Sequence, residues 1–472
     1  MPRCSPPRRV SRGRGTVPLA ALCVALGAAV PASAASHGVR PRIVNGITSA
    51  GFPATAALLV TDIAGQPDTL ATECTATVIG CRTALTAAHC VCPNDAATAR
   101  QCRGREADPA DFAVFLQHGG VFGVTAVAVD PTYHFGVRGD LALLTLDAAV
   151  DGIAPSAINM TGALPFGTLV TIVGFGVTTD DSNDTGLLRA GKALTARCTE
   201  GVPDATNICW AFANPLGPAG DDSNTCSGDS GGPLFVDVGD GPVLAGVTSG
   251  GFPTCAPNSF SWDTDVFSER DWIVQTAGTD IGTQWCGTLP NVGGTGTRVE
   301  SFTGTLTPQH PRGRASFVVP AGTRMLRVAL TGDEEDPSGV STAFNDFDLY
   351  VRAEAPPTTS EFDCRDLTLA TFGFCEIDNP PPGAWYALAQ RFAGRGGYQL
   401  TVTTFAEAEA CVGDCDDDGS VTVVELIRGV NIALGTLLID ACPSFDTNGD
   451  GEVTVNELVT GVHAALTGCP AG

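Results

Sequence analysis

The chain has 472 residues, enough for about three domains, with 43% hydrophobic and only 16% charged side chains. That composition supplies real cores and excludes a largely disordered protein. Lys plus Arg number 26 against 51 Asp plus Glu, a formal net charge of −25, which excludes nucleic-acid binding by phosphate neutralisation.

Residues 1–34 carry Arg3, Arg8, Arg9, Arg12 and Arg14 and no acid, then an apolar run from Val17 to Val30 and Ala32-Ser33-Ala34. These are the basic, apolar and small-residue parts of a secretory signal peptide, and the run is short for a membrane span. No later run of 18 apolar residues follows, so the expectation is an exported protein, extracellular or held at the cell surface, without a membrane span. Removing residues 1–42 takes away seven Arg and leaves 19 basic against 51 acidic side chains, a net of −32.

Residues 43–286 read as short apolar segments broken by Gly, Pro and Asp: Ala56–Val60, Phe112–Leu116, Leu141–Leu146, Leu169–Val173 and Val243–Val247. A helical period is confined to the surroundings of Trp272–Thr276. The pattern predicts a β-barrel or sandwich domain. Residues 287–299, rich in Gly and Thr, read as a linker. Residues 300–405 alternate again, over Ala315–Val319, Met325–Leu330, Asp348–Arg352, Trp385–Ala389 and Tyr398–Val402, and predict a small β-sandwich. In residues 411–472 an acidic loop running into an amphipathic helix occurs twice, Asp414–Glu425 matching Asp446–Glu457. Of 18 Cys, 16 lie beyond the signal segment, in groups of ten (74–286), two (364 and 375) and four (411–469). Even groups in an exported chain read as disulfides.

Four motifs carry chemistry: Thr86-Ala87-Ala88-His89-Cys90, Asp140-Leu141-Ala142-Leu143-Leu144, Gly174-Phe175-Gly176 and Gly228-Asp229-Ser230-Gly231-Gly232-Pro233. A Ser hydroxyl becomes a nucleophile when a His takes its proton and a carboxylate fixes that imidazole. The backbone N–H groups of Gly228 and Ser230 would hold the oxyanion. Gly-x-Ser-x-Gly also marks α/β-hydrolases, whose acid and His follow the Ser. After Ser230 the only His are His310 and His463, both outside this domain.

With Ile43-Val44-Asn45-Gly46 added, these motifs and their His, Asp, Ser order resemble the chymotrypsin/trypsin-like serine peptidases, over about half of the chain. The resemblance implies a two-barrel fold, with His89 as base, Asp140 as its orienter and Ser230 as nucleophile. It implies a propeptide at 35–42, cleavage after Arg42, and pairing of the freed Ile43 ammonium with Asp229. It implies disulfides Cys74–Cys90, Cys198–Cys209 and Cys226–Cys255. Cys81, Cys92, Cys102 and Cys286 then allow three connectivities, of which Cys92–Cys102 with Cys81–Cys286 is our choice. Substrate-pocket positions fall on Asn224, Ser249, Gly251, Ser261 and Asp263. Asn224 stands where Arg/Lys-cleaving relatives carry Asp, and Ser249-Gly250-Gly251 lacks the family's aromatic lid. Two specificities follow: a neutral pocket for large uncharged side chains, or a basic preference through Asp263.

Ser316–Thr323, Asp346–Arg352 and Pro382–Tyr386 resemble the bacterial pre-peptidase C-terminal domain, with Cys364 and Cys375 as a pair. Both acidic loops fit the twelve-residue calcium pattern with Gly at position six. The ligand candidates are Asp414, Asp416, Asp418, Ser420 and Glu425, and Asp446, Asn448, Asp450, Glu452 and Glu457. This repeat resembles dockerin-like and EF-hand modules, which implies structural Ca²⁺, with no cofactor for catalysis. The pairing of its four Cys stays open. The fold class expected is mainly β: a two-barrel trypsin-like domain, a β-sandwich and a small helical calcium module. The function expected is a secreted, zymogen-activated serine endopeptidase with peptide substrates, an activating protease and a surface or scaffold partner for the C-terminal module. The alternative is a catalytically silent scaffold or adhesin.

Overall fold

A computed structural model describes residues 43–61, 69–199, 201–212, 217–239, 241–252, 254–283, 285–335, 344–406, 411–416, 420–447 and 450–469. The signal and propeptide segments, Arg42, Asp418 and Asn448 lie outside the described residues.

The first half of the chain is mainly β. A short strand β1 (Ile47–Thr48) precedes β2 (Thr55–Thr61), β3 (Leu70–Val78), β4 (Thr83–Thr86), β5 (Phe112–Leu116), β6 (Gly120–Val129) and β7 (Ala142–Leu146). Strands β2 to β7 close into a six-stranded antiparallel barrel in the order β2-β3-β4-β7-β6-β5. Its shorter strands are apolar runs with both faces covered; all five residues of β5 are buried. A helical turn, α1 (Ala99–Cys102), leads out of the loop after β4.

Strands β8 (Leu169–Gly174), β9 (Arg189–Ala196), β10 (Asn207–Ala211), β11 (Pro233–Asp237), β12 (Pro242–Phe252) and β13 (Phe260–Asp265) form the second sheet, and a β8–β9 pairing closes it, with β1 added on β9. The domain thus holds two six-stranded barrels. Helix α2 (Val266–Ala277) follows β13; Asp265 caps it by accepting from Phe267 N at 3.0 Å, and Gly278 at φ +63° ends it. Capping satisfies amides that the first turn cannot pair internally. Disulfides join Cys74–Cys90, Cys81–Cys286, Cys92–Cys102, Cys198–Cys209 and Cys226–Cys255.

Beyond Cys286 the chain is tied down rather than free. Asp151 Oδ1 accepts from Thr288 N and Leu289 N at 2.9 and 2.8 Å. The next ladder begins at Thr297, ahead of Glu300, because Thr297–Val299 already pair with Phe405–Thr403. Eight strands follow: β14 (Thr297–Leu306), β15 (Arg312–Val319), β16 (Thr323–Gly332), β17 (Asp346–Ala353), β18 (Cys364–Asp366), β19 (Gly373–Asp378), β20 (Gly383–Ala393) and β21 (Gly396–Ala406). They make two four-stranded sheets, β14-β21-β16-β19 and β15-β20-β17-β18. β15 alternates strictly, with Ala315, Phe317 and Val319 inward, as a half-buried strand should. β21 is buried almost throughout, because it has two covered faces. Leu400 and Val402 enter the sandwich core, while Gln399, Thr403 and Phe405 meet the two-barrel domain. Ala329, Ala370 and Phe372 join the core of the first barrel, where Phe372 lies 5.0 Å from the Phe115 ring. Cys364–Cys375 links β18 to β19.

The C-terminal part has helices α3 (Val423–Ala433) and α4 (Val455–Thr467). Each starts at a capping box, Thr422 with Glu425 and Thr454 with Glu457. A threonine oxygen takes the N3 amide and the N3 carboxylate takes the threonine amide. The Phe445 ring packs against Gly429 and Gly461, where any side chain would collide with it. Disulfides Cys411–Cys469 and Cys415–Cys442 enclose this small core, which apolar burial alone would stabilise poorly. Among the described residues no helix is long and apolar enough to cross a membrane.

Candidate active site

His89 sits in a helical turn directly after β4, braced by Cys74–Cys90. Asp140 precedes β7, the neighbour of β4 in the barrel, so the ladder brings the two residues together. Asp140 holds His89 twice: Oδ2 lies 2.7 Å from Nδ1, and Oδ1 accepts from the His89 amide at 2.9 Å. Ser249 Oγ, from β12 of the second barrel, donates to Asp140 Oδ2 at 2.6 Å. An acceptor on Nδ1 fixes the proton there and presents Nε2 as the acceptor. Burial lowers the His89 pKa, but the Asp140 charge and hydrogen bond outweigh it, with a smaller contribution from Glu73, and the net shift is upward.

Ser230 sits in a tight turn leading into β11. Asp229 N donates to Cys226 O, Gly232 N to Asp229 O and Gly231 N to Thr248 O. Among the described residues, the amides of Gly228 and Ser230 take no acceptor. Gly228 and Gly231 have φ of +89° and +79°, which glycine adopts without strain. A side chain at Gly231 would strike Thr86 Oγ1 and Ala87 N, so the turn lies against the segment carrying His89. Thr75 ties the two barrels together here: its N donates to Ser230 O at 2.8 Å, and its Oγ1 donates to Gly228 O at 2.9 Å.

Asp229 is fully buried, and its carboxylate accepts from Gly176 N and Cys226 N, both at 2.8 Å. Burial pushes its pKa up to about 7, against the lowering effect of those two amides and of Arg189. Ile43 is also fully buried, at φ +42°. Val44 N donates to Asn224 O at 3.0 Å, and Asn224 N to Val44 O at 3.1 Å.

Asn224 is enclosed. Its Oδ1 accepts from Ser261 Oγ at 2.7 Å and Trp210 Nε1 at 3.0 Å; its Nδ2 donates to Ser259 Oγ and Cys255 O. Asp263 is buried beneath Gly246, away from this set of bonds, and burial raises its pKa well above the ordinary value. Gly251 lies against Ser261. The motifs gave no hint of Trp262. Cross-strand pairing sets it opposite Gly250, and its ring fills the space a side chain at Gly250 would need. Phe135, 40% exposed, stands 6.2 Å from the Trp262 ring and 5.4 Å from the His89 ring, edge-on to both. An aromatic wall is therefore supplied from the adjacent strand.

In the C-terminal part, carboxylate oxygens of Asp414, Asp416 and Glu425 lie within 4.8 Å of one another. Glu425 also accepts from Cys415 N and Thr422 N, both at 2.7 Å. In the second loop Asp446 accepts from the Asp450 and Gly451 amides, and Glu457 from Thr447 and Thr454. Those bonds hold the Glu457 pKa down at about 2. Ser420 and Glu452 stand at the seventh position of the two loops.

Comparison with known proteins agrees with this architecture. Residues 45–273 match the Trypsin family, and residues 314–390 match the bacterial pre-peptidase C-terminal domain. Trypsin iota of Drosophila melanogaster is 30% identical over 142 residues, 29% of this chain and 54% of its own length. Xanthomonalisin of Xanthomonas sp. (strain T-22) is 36% identical over 58 residues, 12% of this chain and 7% of its own length. The chain thus spans about half of one relative and a small part of the other. Over residues 45–273 the two-barrel domain is thus similar to the Trypsin family of serine-type peptidases.

Proposed function

We propose that the protein is a secreted serine endopeptidase, made as a zymogen and activated by cleavage after Arg42. The observation that carries this is the Asp140–His89 pair, held on both sides beside a serine turn whose Gly228 and Ser230 amides are unspent. In the reaction, Ser230 Oγ attacks the scissile carbonyl carbon as His89 Nε2 takes its proton. Asp140 stabilises the imidazolium, and the Gly228 and Ser230 amides receive the oxyanion. The tetrahedral carbon collapses, the C–N bond breaks, and His89 gives its proton to the leaving amine. Water then loses a proton to His89, attacks the acyl-enzyme and releases the acid, restoring Ser230.

The state of Asp229 supports the activation step. A buried carboxylate held by two amides and pushed up to about 7 lacks a full countercharge. Hydrolysis of the Arg42–Ile43 bond would create an ammonium next to Val44, which is already paired with Asn224. Joining that ammonium to Asp229 would offset the cost of burying each charge. For specificity, the self-satisfied Asn224, and an Asp263 buried beneath Gly246 and outside the bonds around Asn224, favour large uncharged side chains over basic ones, with Trp262 and Phe135 as an apolar wall. For the C-terminal module we propose structural calcium: the oxygens of Asp414, Asp416 and Glu425 are close enough to share one ion, and hard oxygen donors suit it. The apolar side chains Val423, Ile427, Val455 and Val459, all more than half exposed, support a surface or scaffold partner for these helices.

A quenched-fluorescence peptide library tests this reading. The protein cut after Arg42 is expected to turn over peptides at large uncharged residues, and Ser230→Ala to lose that turnover. Cleavage confined to Arg and Lys would transfer the pocket to Asp263. No cleavage by the cut protein would favour the silent scaffold.

A further inference from the structure

The segment from Phe175 to Arg189 lies between the serine turn and the β-sandwich and touches both. Toward the serine turn, Gly176 N donates to Asp229 Oδ1 at 2.8 Å, and Val177 N to Ser227 O at 2.8 Å. Thr185 packs against Gly228, its Cγ2 lying 3.1 Å from where a Cβ there would stand. Toward the sandwich, Thr185 Oγ1 donates to Glu334 Oε2 at 2.5 Å, and Glu334 N donates to Thr185 O at 3.0 Å. Glu334 Oε1 accepts from the amide and hydroxyl of Thr72 at 2.8 and 2.9 Å. Thr72 belongs to β3, the strand whose Thr75 holds Gly228 O and Ser230 O.

Arg189 completes the connection. It is fully buried and donates to Gly176 O at 3.0 Å and to Asp333 Oδ1 at 3.4 Å. Asp333, also fully buried, accepts from Gly397 N through Oδ2 at 2.6 Å. Asp333 and Glu334 follow the end of β16, and Asn345 fixes both: its Nδ2 donates to Asp333 O and its N to Glu334 O. Taking two carboxylates out of water is costly unless they are partnered. Apolar contact alone, such as Phe115 on Phe372, would join the domains without them. Both acids are aimed at the segment that shapes the serine turn.

We infer that Asp333 and Glu334 of the β-sandwich are positioning residues for the peptidase site, holding the 175–189 segment and through it Asp229 and the Gly228–Ser230 turn. The inference rests on the proposed role of Ser230 as nucleophile. Asp333 has a second consequence. Arg189 is a buried cation close enough to act on Asp229. Partnered by Asp333, it stays directed at the sandwich and leaves Asp229 for the Ile43 ammonium. Without the Asp333 charge, Arg189 would compete for Asp229 and draw the turn out of place.

The test uses the full-length protein cut after Arg42 and a fluorophosphonate probe. The probe's phosphorus bonds to Ser230 Oγ as fluoride leaves, and its oxygen occupies the oxyanion position. Asp333→Asn and Glu334→Gln are compared with Gln399→Ala, a change elsewhere in the same interface, where Gln399 bonds Gln117 and Ser49. Both rate and amplitude are read, because loss of folded protein lowers amplitude while a misplaced oxyanion site lowers rate. The expected result is a labelling rate reduced roughly tenfold to hundredfold at wild-type amplitude in the two acid variants. Their pH midpoint, set by His89, should not move, and Gln399→Ala should label at the wild-type rate. If Asp333→Asn shows no melting transition, Glu334→Gln decides. Wild-type rates in the acid variants, or an equal fall in Gln399→Ala, would overturn the inference. Absence of label on the cut wild-type protein would instead count against Ser230 as the nucleophile.

Discussion

His89 acts as a base only when neutral. Its pKa is raised because Asp140, and to a smaller extent Glu73, outweigh the effect of burial. Hydrolysis should therefore rise with pH to a midpoint above about 6.5, and a kcat/KM profile against pH checks this. Glu73→Gln removes one negative charge near the imidazole and should move that midpoint to lower pH. Asp140→Asn leaves the packing intact but turns Nε2 into the protonated nitrogen, so kcat should fall by about 10⁴. Ser249→Ala, which removes only the 2.6 Å bond to Asp140, should cost on the order of tenfold, or about 1.4 kcal/mol.

At the scale of the element, the serine turn carries a pH dependence of its own. In the uncut chain the Asp229 pKa is raised from 3.8 to about 7. A raised carboxyl favours the folded state below pH 3.8, and that advantage is lost as pH rises through about 7. The uncut protein should lose thermal stability across this window, and Asp229→Asn should flatten the loss. In the cut protein the Ile43 ammonium should do the same. At the other end of the chain, Thr454→Ala removes the α4 cap and should destabilise the module by about 1 kcal/mol, read by helix melting with calcium present. Elements of this kind differ in how visible they are in the sequence. The runs Phe112–Leu116 and Leu169–Val173 fall within strands because short apolar segments bounded by turn residues suit covered sheets. The His, Asp and Ser motifs announce the Trypsin domain because their chemistry needs those residue types and this fold presents them in that order. Trp262 and Phe135 are not legible there because cross-strand register sets Trp262 opposite Gly250 and a turn brings Phe135 between the Trp262 and His89 rings, and no local pattern encodes either. The two-residue β1 and the four-residue α1 are too short to show a period.

For the whole molecule, the linker composition after Cys286 suggested separate domains, yet the sandwich shares the core of the first barrel. Nothing local marks this; from Leu400 to Ala406 β21 reads as a run of apolar residues and threonines whichever surface covers it. His118 lies at this junction, fully buried, with Nδ1 2.8 Å from Thr403 Oγ1 and Nε2 2.9 Å from Ala50 O. Burial lowers its pKa from 6.5 to about 4, with Arg327 acting in the same direction against the Ala50 bond. A depressed His contributes stability above about pH 6.5 that is lost as pH falls toward 4. The protection of the β21 amides against hydrogen exchange, taken relative to the intrinsic rate at each pH, should therefore fall through that window. His118→Gln, which keeps a neutral polar side chain, should blunt the change. The central claim, a serine nucleophile switched on by cleavage after Arg42, is tested most directly by fluorophosphonate labelling with site mapping. Uncut protein, cut protein and cut Ser230→Ala should be compared with calcium present. The account predicts label on Ser230 of the cut wild-type protein and on neither of the others. A cut protein with Ile43 verified as its new N-terminus that took no label would contradict it.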